Sequence, residues 1–458
     1  MPEEYRAVLS WGDWPGETPY IAFTKGAVDG MLGICSQVWV NDHAEPLTDH
    51  WVERIVSANA SLAENGMRVL AIATRAIDSV PEKVDAPSIE RDLVLVGLTG
   101  MIDPARPEVK DAVDTCRTAG IRPIMITGDH PLTGGFIARE LGIDDGGKVI
   151  TGSMLESMGP DELDQTIVSH SVYARVSPEH KLRIVQALQT RGEIAAMTGD
   201  GVNDAPALKR ADIGVAMGIT GTDVTKEAAD MVLLDDNFAT IVAAVEVGRT
   251  IYDNIRKFIR YTLTSNAGEI WVMLLGPLFG MPLPLLPLQI LWINLVTDGL
   301  PGLALAIEPT ERDTMRRPPY PPNENIFARG MAFHILWVGL LMGAVSLAIG
   351  YWMWSMGSPL WQTMVFTTIT LSQMGHALAI RSERFSLFQI GLLSNKPLLG
   401  AVLLTFMLQL AVVYIPFFQE VFETVSLPLP YLLLSLVLSL VVFIAVEVEK
   451  AVRRRKLS

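Results

Sequence analysis

Met197-Thr198-Gly199-Asp200-Gly201-Val202-Asn203-Asp204-Ala205-Pro206-Ala207-Leu208 lies near the middle of the chain, and the fold follows from how it is read. The apolar run 194–197 has the length of a buried strand, and the stretch 205–211 has the composition of a helix. Between them stand two glycines and two carboxylates four residues apart. A strand end that offers hard oxygens and backbone N–H groups in one loop suits Mg²⁺ and phosphate. A surface turn with solvated aspartates is the plain alternative for two such acids.

Upstream of this loop, strands alternate with helices. Strand-like 121–126 precedes helical 132–141. Strand-like 172–175 precedes a helix opening at Ser177-Pro178, where the serine caps and the proline takes the first helical position. Strand-like 213–216 and 231–234 follow. This alternation predicts a doubly wound parallel sheet. Residues 1–98 instead mix strand-like runs (21–24, 38–40, 69–73) with a helix over 49–65. The α/β part thus divides near Asp103-Pro104-Ala105-Arg106.

Downstream, six apolar stretches at 258–279, 285–307, 333–353, 360–380, 397–418 and 427–446 are each long enough to cross a bilayer. Lys and Arg gather before the first, between the second and third, between the fourth and fifth, and after the sixth; the alternate connections have none. Positive-inside logic places both termini in the cytoplasm. Half of the 458 residues are hydrophobic, and the net charge of −14 argues against a nucleic-acid partner. Two distant cysteines suggest neither a disulfide framework nor a zinc site.

Parallel sheets collect ligands at the carboxyl ends of their strands. Three ends here are polar: Thr127-Gly128-Asp129, Arg175 with Lys181 in the next helix, and Thr198-Gly199-Asp200. A hydroxyl, a lysine and a carboxylate loop together match the needs of phosphoryl transfer. In the apolar half, Asn266 and Glu269 are three apart, and Asn294, Thr297 and Asp298 share a helix face ahead of Gly299-Leu300-Pro301. Intramembrane carboxylates usually mark ion paths, and a Gly/Pro interruption can free carbonyls to coordinate a cation. Helix-to-helix hydrogen bonding is the alternative use for the Asn and Thr side chains, and equally for Gln373. His376 reads as structural or near the interface.

Together these motifs resemble the P-type cation-transporting ATPases, most closely the calcium-pump branch, over nearly the whole chain. Phe23-Thr24-Lys25-Gly26-Ala27 resembles a motif whose lysine lines the adenine pocket, and Arg68 matches another ATP contact. Asp103-Pro104-Ala105-Arg106 is similar to the family's hinge. Thr127, Gly128, Asp129, Arg175 and Lys181 match phosphate-handling positions. Asp200 matches the Mg²⁺ ligand, with Asn203 and Asp204 beside it. Asn266, Glu269, Asn294, Thr297 and Asp298 match ligands of the transported ion, which the resemblance implies is Ca²⁺, and Gln373 could add an oxygen. Thr127, Lys181 and Asp200 would be the catalytic group.

The resemblance implies a partial nucleotide-binding domain (1–98), a haloacid-dehalogenase-like phosphorylation domain (99–250), six transmembrane helices (251–448) and a basic cytoplasmic tail (449–458). It implies a multi-pass protein of the plasma membrane. The family's phosphorylated aspartate sits in a DKTGT string that this sequence does not contain. The chain therefore reads as the C-terminal half of a pump, from a truncated gene or an expression fragment, or completed by a separately encoded N-terminal half, and as inactive alone. The sheet should lack its nucleophile strand. Gln373 stands where two-site pumps carry glutamate, which predicts one Ca²⁺ per cycle. A membrane-anchored phosphohydrolase and a catalytically dead subunit are the other readings.

Overall fold

A computed structural model describes residues 20–102, 104–144 and 147–457. Hinge-like Asp103, and residues 1–19 of the expected first domain, lie outside the described residues. The chain divides into two compact units between Val242 and Ala243.

The first unit opens with a five-stranded sheet ordered β1-β4-β5-β2-β3. Its strands are β1 (Tyr20–Gly26), β2 (Cys35–Val40), β3 (His43–Pro46), β4 (Arg68–Ile77) and β5 (Leu93–Met101), with α1 (Asp49–Glu64) between β3 and β4. Only β2 and β5 pair in parallel. Ala71, Ala73, Leu93 and Leu95 form its buried core with Val28, Met31 and Ile55.

The rest of the unit forms two separate three-stranded parallel sheets. One is ordered β6-β8-β7, from β6 (Met125–Ile126), β7 (Ile150–Thr151) and β8 (Val172–Ala174). The other is β11-β10-β9, from β9 (Ala196–Gly199), β10 (Ile213–Met217) and β11 (Met231–Leu233). Parallel strands alternate with helices as expected, but in place of one doubly wound sheet the described residues form these two separate parallel sheets, in which β6 and β9 are edges. Strand β6 is shorter than the 121–126 run because Pro123 lacks the N–H a ladder needs. Helix α2 (Pro131–Glu140) follows β6. Helix α3 (Pro178–Thr190) starts at Ser177, whose hydroxyl accepts the His180 N–H. Helix α4 (Ala205–Arg210) follows the acidic loop.

The carboxylate of Asp236, after β11, accepts from the backbone N–H groups of Gly218 (2.6 Å), Ile219 (3.0 Å) and Thr220 (2.8 Å). These bonds, led by that from Ile219, hold its carboxyl down at about 2.

The second unit is helical. Helix α5 (Phe238–Leu278) starts where Asn237 Oδ1 accepts the Ala239 N–H, and it runs 41 residues without a break. After it come α6 (Pro287–Trp292), a π-helical turn (Ile293–Thr297) and α7 (Gly299–Ala306). Next are α8 (Met331–Ser355), α9 (Trp361–Ala379), α10 (Lys396–Tyr414) and α11 (Leu429–Leu457). All six expected stretches are helical, but among the described residues four segments are long and apolar enough to cross a membrane: Pro287–Ala306, Met331–Ser355, Lys396–Tyr414 and Leu429–Arg455. The other two carry too many polar groups. Helix α5 holds Asn266 and Glu269, and α9 buries four threonines, Ser372, Gln373 and His376.

Glycines bring α8 close to α5. A Cβ on Gly339 would lie 2.6 Å from Ala267 Cβ, and one on Gly343 would lie 2.9 Å from Trp271 Cβ. This small-residue contact is the usual route to tight helix packing in lipid.

Two measurements test these contacts. A Cβ on Gly199 would lie 2.4 Å from Asp204 Cβ, so Gly199→Ala should lose about 1–3 kcal/mol in denaturant melts. Because the Asp236 carboxyl is depressed from 3.8, its contribution is present above that value and fades as pH falls towards 2. Asp236→Asn should therefore lower Tm at neutral pH, and the gap should close in acid; a gap unchanged at pH 2 contradicts this.

Candidate functional site

On the first sheet, β1 and β4 pair Lys25 with Ile72, and Arg68 lies four residues further along the strand. Alternate strand residues share a face, so Phe23, Lys25, Ile72, Leu70 and Arg68 line one side. Lys25 and Arg68 stand roughly 13 Å apart along the strand. Phe23 is 58% exposed and Ile72 37% exposed on that face. Ile72 faces Lys25, Leu70 lies between the two cations, and Phe23 stands beyond Lys25 on the side away from Arg68, so an apolar surface flanked by positive charge is offered to a planar base with phosphates. Sequence reasoning misses Phe23 and Ile72 as site residues; the period-2 offset from Lys25 is the signal that could find the first.

At β6 the Thr127 hydroxyl donates to Asp129 Oδ2 at 3.0 Å and accepts the Asp129 N–H at 3.1 Å. The turn carries Gly128 and ends against β8, where the Arg175 N–H donates to Asp129 O at 3.1 Å. Arg175 adopts a left-handed backbone (φ 50°) and its side chain is exposed. Strained non-glycine residues of this kind gather at ligand sites. The structure thus joins Thr127, Asp129 and Arg175 at one rim.

At β9 the two aspartates separate. Asp204 is buried; Lys181 Nζ donates to its Oδ1 at 2.5 Å, and the Asp200 and Gly201 N–H groups donate to its Oδ2 at 3.3 and 3.2 Å. Both of its oxygens are used inside the protein. Asp200 is exposed, and its carboxylate accepts no hydrogen bond from the described chain. The loop therefore leaves one carboxylate ready for a metal rather than two, and the exposed Asn203 stands between them. Lys181 is fixed by the buried acid.

In the helical unit the sequence-predicted residues converge from three helices. Glu269 of α5 is 5% exposed. Its Oε1 accepts from Gln373 Nε2 of α9 at 3.2 Å, and its Oε2 accepts from Asn294 Nδ2 at 3.3 Å. Asp298 is 3% exposed; the hydroxyls of Ser265 and Tyr261 stand near it, but none reaches its oxygens at hydrogen-bond geometry, and Tyr261 spends its proton on the Thr297 carbonyl. Thr297 Oγ1, Gln373 Oε1 and Ser265 Oγ are buried and unpartnered as well. Asn266 is half-buried beside them, without a bond to the others. Orphaned buried oxygens carry a desolvation cost that a bound cation would relieve. Among the described residues no three His, Cys, Asp or Glu side chains group as metal ligands, so a cation here would rely on two carboxylates plus neutral oxygens, as Ca²⁺ permits.

The chain irregularity differs in place from the expected one. Gly299-Leu300-Pro301 is helical, and the departure lies one turn earlier, where the Asp298 N–H donates to Ile293 O at 2.8 Å. Pro301 has no N–H, so the Thr297 carbonyl four residues back loses its helical donor. The Tyr261 hydroxyl of α5 takes that place at 2.9 Å. Sequence reasoning also misses Tyr261 and Ser265; they lie eight and four residues before Glu269, in a helix where hydroxyls read as packing.

Three segments of the chain match known protein families. Residues 282–452 match the family model for the cation transporting ATPase C-terminus, residues 8–108 that for the P-type ATPase cytoplasmic domain N, and residues 180–245 that for haloacid dehalogenase-like hydrolases. A calcium-transporting ATPase of Bacillus subtilis is 46% identical over 408 residues, covering 88% of this chain and 46% of that protein. Calcium-transporting ATPase 1 of Bacillus cereus is 40% identical over 454 residues, covering 95% and 51%. The bovine calcium-transporting ATPase type 2C member 1 is 39% identical over 444 residues, covering 96% and 45%. The chain belongs to the P-type cation-transporting ATPases and is an integral membrane protein. It spans about half the length of the curated relatives it matches. Those relatives carry the remainder in the same polypeptide, so a separately encoded half gains no support from them.

Removing one partner of a buried ion pair strands the other charge. Lys181→Met should therefore destabilise the α/β unit by about 3 kcal/mol in chemical denaturation. Lys181→Met with Asp204→Leu should recover much of that loss, and failure to recover would show that the pair is not the cause.

Proposed function

We propose that these 458 residues bind the transported ion and shape the phosphate site of an ATP-driven Ca²⁺ pump. One observation carries the reading: two carboxylates, Glu269 and Asp298, are buried among apolar helices, and no cation or amide faces Asp298, which has only the hydroxyls of Ser265 and Tyr261 nearby. Bundle stability alone would favour apolar residues at both positions. In this reading Asn266, Glu269, Asn294, Thr297, Asp298 and Gln373 hold Ca²⁺ as cargo. With Gln373 neutral, two carboxylates here and one expected elsewhere in the pump balance a single ion better than two.

ATP, as substrate, would lie on the β1–β4 face, with its base against Phe23 and its charge met by Lys25 and Arg68. Thr127, Gly128, Asp129, Arg175 and Asn203 would border the transferring phosphoryl group, and Lys181 would add positive charge beside the Asp200 loop. Mg²⁺ fits Asp200, whose carboxylate is free, and would neutralise phosphate charge when bound. Asp204 positions Lys181 and the loop amides rather than holding metal. The acceptor would be an aspartate on a strand between the edges β6 and β9, outside these residues, forming the family's aspartyl-phosphate. Helix α5, continuous from Phe238 to Leu278, would connect the two chemistries. Six membrane helices, the plasma membrane and cytoplasmic termini complete the proposal, supported by the one-sided distribution of Lys and Arg. The anchored-phosphohydrolase reading is disfavoured, because an anchor has no use for buried acids.

Equilibrium binding of radioactive calcium to the purified chain in lipid nanodiscs tests the reading. The parent should bind, and Asp298→Asn and Glu269→Gln should each weaken binding roughly tenfold or more. Equal binding by parent and both variants would reject the site.

A further inference from the structure

Where two membrane spans end, the helical unit holds a cavity of about 660 Å³. The start of α8 and the last turns of α11 wall it, together with α5 and parts of the connections before α8 and after α9. The α8 span begins at Met331 and the α11 span ends at Arg455, so the cavity lies where both leave the apolar layer. Arg453 ties the two ends together, donating to Arg329 O at 3.2 Å and to Gly330 O at 3.4 Å. Phe333, in the first turn of α8, borders the cavity and is 67% exposed.

Seven Lys and Arg side chains line this cavity against four carboxylates. Six of the seven cations are held by an acid. Lys257 meets Glu311 at 2.7 Å, Arg384 meets Asp313 at 2.9 Å, and Arg317 pairs with Asp253. Arg329, Lys450 and Arg453 are held by Glu324, Glu447 and Glu449, none of which belongs to the lining. Those three acids fix their cations from outside the cavity, and the surface facing it stays positive. Glu383 does line it, but Arg260 at 2.7 Å and Arg256 at 3.8 Å draw on that carboxylate. Arg454 differs from the rest. It donates to Arg384 O at 2.7 Å and to Gln389 Oε1 at 3.4 Å, and it has no carboxylate partner among the described residues. A half-buried guanidinium without an anion is a charge left uncompensated.

We propose that this cavity seats the headgroup phosphate of an anionic membrane phospholipid, with Arg454 as its counter-charge and Phe333 against the glycerol and first acyl carbons. The place favours a ligand that arrives from the bilayer, because lipid phosphates lie at the level of the span ends and their chains run beside the spans. A guanidinium fork matches two phosphate oxygens at once. A zwitterionic headgroup brings an ammonium into the same positive surface and binds less well. A nucleotide is poorly served here, since the Tyr320 ring is already packed by Arg329 at 4.3 Å, Arg317 at 4.7 Å and Tyr252 at 5.3 Å, which leaves it closed to a base. The bound lipid joins α8, α11 and the connection after α9 at one anchor. The site needs neither Ca²⁺ nor ATP, so it goes beyond the pump reading and does not rest on it.

Native mass spectrometry tests this on the full chain, released from micelles that hold phosphatidylglycerol and phosphatidylcholine in equal amounts. The parent should keep a phosphatidylglycerol under conditions that strip phosphatidylcholine. Arg454→Gln should weaken that retention about fivefold, and Arg454→Lys should preserve most of it. Phe333→Ser should lower it with the charges untouched, and it decides the matter if Arg454→Gln does not fold. Arg455→Gln removes an exposed neighbouring charge outside the cavity and should change little. Glycerol phosphate, which has the headgroup chemistry without acyl chains, should not displace the lipid at equal concentration. The proposal is overturned if the parent retains both lipids alike, if Arg454→Gln and Phe333→Ser bind like the parent, or if Arg455→Gln loses as much. Displacement by glycerol phosphate also overturns it, by marking a site for free anions. Calcium binding, measured separately, reports on the cation site whichever way this result falls.

Discussion

Burying the carboxylates of Glu269 and Asp298 among apolar helices is the constraint around which the helical unit is arranged. Such a group is costly away from water unless donors or a cation face it. Helix α5 gives Glu269 two amide donors from other helices, Asn294 and Gln373. Asp298 receives none, and the π-helical turn before it and Pro301 after it disturb the local ladder. The polarity of α9 follows from the same demand. A helix that delivers Gln373 to one carboxylate and His376 to another buried contact cannot also be uniformly apolar. Close approach through Gly339 and Gly343 seats α5 where these contacts form.

In the α/β unit the organising choice lies between the two acids of one loop. Asp204 is drawn inside by Lys181 and two loop amides, which leaves Asp200 outside and free. A buried, paired acid holds the loop's shape while an exposed one remains available to a metal. Gly199 permits this, since any side chain there would strike Asp204. At the neighbouring rim, the left-handed Arg175 ties β8 to the Thr127–Asp129 turn. Both rims stand at edge strands, β6 and β9, that have no partner on one side among the described residues.

Much of this is legible from the residues in order. Hydrophobic period and Gly/Pro punctuation place the strands and helices of the α/β unit, because those signals depend on near neighbours. The Ser177 cap is readable for the same reason. Strand β5 escapes such a reading, as does the division of the parallel strands into two sheets, since pairing depends on partners far along the chain. Spacing marks Glu269, Asn294, Asp298 and Gln373 as unusual. It does not show that Gln373 and Asn294 both donate to Glu269, or that Asn266 makes no bond to the others.

By itself, the sequence determined the family, the split between an α/β part and a helical part, and the polar residues set in apolar surroundings. Those properties reside in motifs and composition, which survive without coordinates. Only the tertiary structure decided that Asp204 is spent internally while Asp200 is free, that Tyr261 answers the carbonyl Pro301 leaves unbonded, and that Arg453 ties the end of α11 to the start of α8. Each of these depends on atoms brought to hydrogen-bond distance from separate elements. At that range an ångström settles whether a group is partnered or bare, and linear order does not encode it locally.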